Sequence, residues 1–266
     1  MLQLSLSSAA TLAFPLPGLA GLRRTIQALE KRAPDEERGV LSLGIPAVDD
    51  ALGGGFDGGA LHEVSAQECD IAAATGFTLM LAALFVAARR SSPVVWIAED
   101  MALLESGAPY GPGIDEFGLA PERLIAVSGA KSRDVMWAME EALRCRAVSA
   151  VIGEVRSNAR LDLVVTRRLS LAAARGGAAG FLLRAGLAQE PSAAATRWIV
   201  APASAGRTTH GLAPPALLLR LVRNRRGRLG SWMLEWNRAE QRFESSAHHE
   251  PVAPPAPDRP PRAAVA

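Results

Sequence analysis

The side chains that most often bind metals or carry nucleophilic catalysis are few and scattered in this sequence. The 266 residues include four histidines and two cysteines. Cys69 and Cys145 stand far apart without C-x-x-C spacing, which argues against a zinc site or a disulfide framework. His62 begins an apolar stretch, where a structural role is expected, and no H-E-x-x-H pattern is present. We therefore expect no catalytic residue, no metal and no cofactor, and two free thiols fit a reducing cytoplasm.

Lysine, which loops that bind nucleotide phosphates require, occurs only as Lys31 and Lys131. Lys131 and Ser132 could end the pattern G-x-x-x-x-G-K-[ST], but Ile125 and Ala130 stand at both glycine positions. We interpret this segment as a helix-capping turn with Ser132 as the cap.

Five arginines between residues 220 and 228 form the strongest candidate for a binding surface. They are Arg220, Arg223, Arg225, Arg226 and Arg228. Guanidinium groups bind carboxylates and phosphates alike. Three interpretations stay open, namely a solvated hairpin, a contact with an acidic partner protein and, with the weakest support, a contact with DNA.

Strands that alternate with helices must position these residues. Continuous apolar runs at 94–98 and 148–152 are typical of central parallel strands, and helices are predicted at 76–90, 133–146 and 161–174. A loop is predicted at 65–75, and strands at 217–222 and 231–236 predict an antiparallel hairpin. Trp198, Trp232 and Trp236 are expected to pack within the sheet. The sequence predicts an α/β fold with a mostly parallel sheet flanked by helices and a C-terminal antiparallel hairpin.

Composition fits one core domain with two extensions. Hydrophobic residues make up 49% of the chain and charged residues 21%, and the net charge of +2 is too small to indicate a nucleic-acid partner. No uncharged run reaches the roughly 20 apolar residues of a membrane span, so no membrane contact is expected. We predict an N-terminal segment at 1–38 with a short amphipathic helix over 22–32, a core domain at 39–243, and a disordered Pro- and Ala-rich tail at 244–266.

The order of these landmarks resembles the core of RecA. The glycine-rich entry at 43–55, Leu-Gly-Ile-Pro-Ala-Val-Asp-Asp-Ala-Leu-Gly-Gly-Gly, and the hairpin sequence at 221–225, Leu-Val-Arg-Asn-Arg, carry that resemblance. Together with Ala-Thr-Gly-Phe at 74–77, Gly-Glu-Val-Arg at 153–156 and Gly-Ser-Trp at 230–232, they are similar to the ImuA family of RecA-like proteins from bacterial SOS mutagenesis cassettes. The resemblance covers about residues 20–243 and implies a RecA-like fold.

In RecA-like ATPases a phosphate-binding loop follows this entry, and here it is degenerate. Its position falls on residues 71–78, where Gly76 and Thr78 keep the pattern. Ile71 replaces the first glycine, and Phe77 replaces the lysine that neutralises the β- and γ-phosphates. The lost charge predicts a protein that neither binds nor hydrolyses ATP.

The acidic positions of such ATPases are also altered. Gly153 and Glu154 follow the strand where the family carries an aspartate for magnesium, and Glu99 occupies the place of a catalytic glutamate. We expect Glu99 to be an ordinary acid at a strand end. Arg156 and Arg160 are candidates for phosphate contact.

The resemblance implies a non-catalytic accessory protein for translesion DNA synthesis in the SOS response to DNA damage. Its implied partners are a polymerase-like ImuB protein, an error-prone replicative polymerase and RecA itself. Two alternatives stay open: a residual RecA-like ATPase, and a cell-division inhibitor of the SulA type.

Overall fold

The computed structural model describes residues 39–89, 92–156, 161–187, 190–203 and 215–246. The predicted amphipathic helix at 22–32 and the tail beyond Ser246 lie outside these ranges, so both stay predictions.

Eleven strands and six α-helices make up the described part of the chain. The strands are β1 Val40–Leu41, β2 Phe56–Asp57, β3 Leu61–Ala66, β4 Val94–Glu99, β5 Leu124–Gly129, β6 Ala150–Val155, β7 Ala179–Ala185, β8 Thr196–Ala203, β9 Ala216–Asn224, β10 Gly230–Asn237 and β11 Arg242–Ser245. The helices are α1 Pro46–Leu52, α2 Ile71–Ala88, α3 Asp100–Ser106, α4 Gly111–Asp115, α5 Ser132–Leu143 and α6 Leu163–Gly176.

Nine of the strands form one sheet in the order β11-β10-β9-β8-β3-β7-β6-β4-β5. Six neighbouring strands of this order, β8-β3-β7-β6-β4-β5, are parallel to one another, and β9, β10 and β11 continue the sheet in antiparallel pairs. The predicted α/β fold, with its parallel sheet, flanking helices and C-terminal hairpin, is confirmed, and the arrangement is that of a RecA-like core. β1 and β2 form a separate antiparallel pair.

Helices cover both faces of the parallel region. On one face α2 packs under the sheet, where side chains such as Phe181 of β7 point towards it. On the other face α5 and α6 pack on residues such as Val151 and Leu182. α2 is apolar enough in length and composition to cross a membrane, but it is the core helix of this fold, with Leu81 and Phe77 fully buried.

The glycine-rich entry shapes the turn around α1. Asp49 holds it by accepting hydrogen bonds from the Ser42 hydroxyl, at 2.7 Å, and from the Leu43 N–H, at 2.8 Å. Gly55 has φ 136°, and a Cβ there would stand 2.2 Å from the Leu41 carbonyl oxygen, so only glycine fits. The same entry binds the hairpin, because the Asn224 side chain donates to the Ala51 carbonyl at 2.7 Å.

β11 was not predicted. It pairs with β10 and buries Phe243 in the core. The predicted start of the disordered tail at 244 is therefore wrong, because Glu244 and Ser245 belong to this strand.

Candidate functional site

The segment at the position of the phosphate-binding loop is helical. A 3-10 turn covers Glu68–Asp70, and α2 begins directly afterwards at Ile71. The predicted loop over 65–75 is therefore wrong. An α-helix directs its N–H groups along its own axis to carbonyls four residues earlier, so from Thr75 onwards they are not available to wrap a phosphate.

Phe77 lies in the centre of the core. Its side chain has no exposed surface. The ring lies 5.9 Å from the Trp198 ring and 5.8 Å from the Phe243 ring, measured between centroids. Both partners come from the C-terminal strands, so the residue at the lysine position joins α2 to that part of the sheet.

The two residues that keep the loop pattern have local roles. The Thr78 hydroxyl is fully buried and donates to the Ala74 carbonyl at 2.7 Å, within α2. A Cβ added to Gly76 would meet only the Phe117 ring, at an ordinary 3.9 Å. No close backbone approach in the described structure requires glycine at this position.

The electrostatics at the start of α2 oppose an anion. Glu68 and Asp70 stand in the turn before the helix, and Glu68 is exposed. Helix N-termini attract negative charge, and these two carboxylates already supply it.

The acids at the carboxyl ends of β4 and β6 are engaged by one arginine. Arg156 has a side chain only 5% exposed, and its Nη2 lies 3.1 Å from Glu154 Oε1. Its backbone N–H donates to Glu99 Oε2 at 3.0 Å, and its guanidinium also reaches Glu105 and the Ser106 hydroxyl. Burial raises the pKa of Glu154, and the positive charge of Arg156 opposes that rise.

This cluster corrects the interpretation of Arg156 that was made from the sequence. Arg156 is not free to contact phosphate, because its guanidinium is buried among carboxylates, and Arg160 lies outside the described residues. Glu99 lies at the end of β4, and its carboxylate accepts the N–H that follows β6. The spacing of Glu154 and Arg156, two residues apart at a strand end, was the signal that both side chains share one face.

The candidate arginines of the hairpin divide into two groups. Arg226 is bound to the fold through Asp57, with 2.8 Å between Nη1 and Oδ2, and Arg225 donates to the Ala193 carbonyl at 3.2 Å. The guanidinium groups of Arg220, Arg223 and Arg228 form no ion pair with the described residues.

The remaining candidates have structural positions. His62 lies between the Thr196 hydroxyl at 2.8 Å and the Asp57 carbonyl at 3.1 Å, and burial lowers its pKa to about 4. Trp198 is fully buried and lies 6.0 Å from Trp232, as expected for sheet packing. Lys131, exposed, occupies the N-cap position of α5.

Three further expectations can be compared with the described residues. The predicted cap Ser132 is wrong, because Ser132 is the first helical residue and no side chain caps α5. Neither Cys69 nor Cys145 takes part in a disulfide. Among the described residues, no group of histidine, cysteine and acidic side chains could hold a metal ion.

Comparison with known proteins gives one consistent relationship. The chain is 33% identical over 213 residues to the proteins named Protein ImuA from two strains of Caulobacter vibrioides. The aligned region covers 74% of this chain and 83% of each relative. No family model matches the chain.

Proposed function

Because the chain belongs to the ImuA family, we propose that it acts in a damage-induced mutagenesis system as an accessory protein that works without nucleotide. The proposal that the protein works without nucleotide rests on one observation. Phe77 stands where a nucleotide-binding loop needs lysine, and its ring is fully buried against Trp198 and Phe243.

Charge and space both oppose a nucleotide at this position. A nucleoside triphosphate needs a cation and free N–H groups in the protein to stabilise its phosphates. Loss of one such stabilising contact typically costs roughly 3–4 kcal/mol. The segment from Ile71 to Thr78 instead presents helical backbone and a core aromatic ring. Binding a triphosphate here would require α2 to unwind and Phe77 to leave the core.

The acidic cluster supports the same proposal. Magnesium in a RecA-like ATPase needs carboxylates that are free to coordinate it. In this protein Glu154 is paired with the buried Arg156, and Glu99 accepts the backbone N–H of the same residue. An internal guanidinium therefore supplies the positive charge beside these acids.

We propose that the protein acts through contacts with other proteins, and that the hairpin between β9 and β10 forms one contact surface. Arg220, Arg223 and Arg228 are the candidates to meet acidic side chains there, while Arg225 and Arg226 fix the shape of the turn. The family resemblance supports a polymerase-like ImuB protein, an error-prone replicative polymerase and RecA as partners. A cytoplasmic location fits these partners and fits two cysteines that form no disulfide.

The test is co-purification of the tagged chain from cells exposed to a DNA-damaging agent, with and without apyrase to destroy ATP. We expect the polymerase-like protein to co-purify equally in both samples. The Arg223→Glu, Arg228→Glu double variant should lose that association and lower the damage-induced mutation frequency. A matched Arg238→Glu variant, on the turn after β10, should keep both. Association that disappears with apyrase would contradict the proposal.

A further inference from the structure

A groove opens between α5 and α6 on the outer side of the layer that these helices form. It has a volume of about 400 Å³, within the range of about 300–1,000 Å³ that is usual for ligand pockets. Its lining comes from α5, from α6 and from Leu161, which lies two residues before α6.

The walls of the groove are mostly apolar, because Met136, Trp137, Leu161, Val165 and Leu169 belong to the lining. Ser132, Met136 and Glu140 follow one another at a spacing of four residues, so they form one line along α5 that is about 12 Å long. Trp137 and Val165 are half-buried and border the opening from the two helices. Tryptophan is among the residues that contribute most energy to protein interfaces. A space of this size accepts one or two large side chains from a partner.

The rim of the groove carries two exposed arginines, Arg133 and Arg168. The Arg133 side chain is 86% exposed, and its nearest acidic partner, Asp134, is 3.9 Å away. Arg168 is 59% exposed and pairs with Glu140. The Glu140 carboxylate is buried and is also bound by Arg144, so two guanidinium groups neutralise it.

The surrounding layer has the same sign of charge. Residues 131–146 and 162–176 contain seven lysines and arginines against four acids, a net charge of +3, whereas the whole chain carries +2. This layer is therefore positively charged, as is the hairpin, where residues 220–228 contain five arginines and no acid.

We propose that the α5–α6 groove binds an acidic peptide segment of a partner protein. A large apolar side chain of that segment inserts between Met136, Trp137 and Val165, and flanking carboxylates meet Arg133 and Arg168. Apolar walls with a charged rim are the anatomy of a protein interface. A surface for DNA needs a row of cations along a phosphate backbone, and the apolar lining of this groove does not supply one.

This surface is separate from the hairpin. α5 packs on β4, β5 and β6, whereas β9 and β10 lie beyond β3 and β8 in the sheet. The inference rests on the proposed function only in assuming that the natural ligand is a protein. Peptide binding can be measured without nucleotide, so its outcome is independent of whether the chain binds ATP.

The experiment selects from a displayed library of random ten-residue peptides on the immobilised full chain. We expect enrichment of peptides that combine two or more acids with leucine, phenylalanine or tryptophan. An enriched peptide is then labelled with fluorescein, and its Kd is measured by anisotropy for the wild type and for variants. Arg133→Glu should weaken binding roughly tenfold, because it reverses a rim charge without touching the core.

The controls separate the groove from general charge. Arg223→Glu makes the same charge change on the hairpin and should leave the Kd within about twofold of the wild type. Trp137→Phe should weaken binding less than Trp137→Ala, and circular dichroism spectra of both variants report whether α5 still forms. Higher salt should weaken binding to the wild type more than binding to Arg133→Glu.

Three results would overturn the inference. One is enrichment of neutral or basic peptides, or of none above the bare support. Another is a Kd that Arg133→Glu and Trp137→Ala leave unchanged in folded protein. The third is a single-stranded DNA oligonucleotide that displaces the labelled peptide and loses its own binding in Arg133→Glu.

Discussion

Replacing Phe77 by alanine tests whether the residue at the lysine position belongs to the core. Its side chain is fully buried between Trp198 and Phe243. Truncating a buried phenylalanine to alanine typically costs about 3–5 kcal/mol, from lost burial and the cavity left behind. Against a domain stability of about 5–15 kcal/mol, that loss is between about a fifth and all of the total. We therefore expect Phe77→Ala to be strongly destabilised or unfolded at 25 °C.

The assay is urea denaturation followed by far-ultraviolet circular dichroism. The midpoint should fall with an unchanged m value if only stability changes. Phe117→Ala is a matched control, because Phe117 is half-buried beside the same helix. This substitution should lower the free energy of unfolding by only about 1–2 kcal/mol. A Phe77→Ala cost below that of Phe117→Ala would refute the reasoning, since the ring would then not be packed as described.

Three further predictions concern the histidine, the acidic cluster and the packing of α5 on α6. The pKa of the buried His62 is about 4 in the folded protein against 6.5 in the unfolded chain, so the unfolded chain binds more protons as the pH falls from 6.5 to 4. The free energy of unfolding, measured by urea titration, should therefore decrease by about 3 kcal/mol between pH 6.5 and pH 4. His62→Gln should remove this dependence on pH. Arg156→Met should lower the free energy of unfolding by about 3–5 kcal/mol in the same assay, because it leaves Glu154 buried without its partner. Adding Glu154→Gln to this variant should restore part of the loss. Equal stabilities of the Arg156→Met single variant and the double variant would contradict the pairing. Gly176→Ala should lower the melting temperature by several degrees, about 1–3 kcal/mol, because its Cβ would stand 1.9 Å from the Leu143 carbonyl oxygen, and an unchanged melting temperature would count against this contact.

The sequence predicted the sheet well because its strands are continuous apolar runs that only a doubly covered parallel sheet can bury. The run at 94–98 became β4 with one residue added, and the hairpin strands were found within two residues at each end. β11 was missed because its four residues bury only Phe243, which leaves too short an alternation to recognise.

The start of α2 was missed for a different reason. The sequence prediction placed a loop over 65–75 and began the helix at Gly76, five residues after its actual start. The three alanines at 72–74 have the highest helix propensity of any residue and indicated the helix that begins at Ile71.

The candidate site was only partly predictable. The loss of lysine at Phe77 is visible in the sequence, whereas the burial of its ring depends on Trp198 and Phe243, more than a hundred residues away. The α5–α6 groove likewise depends on how two helices pack, which periodicity alone does not determine. Local sequence patterns do not predict such contacts between residues that are far apart in the chain.

The most direct test of the central claim is calorimetric titration of the purified chain with ATP and magnesium. With α2 helical from Ile71 and Phe77 in the core, we predict no saturable heat up to millimolar nucleotide, a concentration at which about −4 kcal/mol of binding free energy would be detected. A one-to-one isotherm with a micromolar Kd would contradict the account, because the helix and ring that fill this position would have to give way to the phosphates.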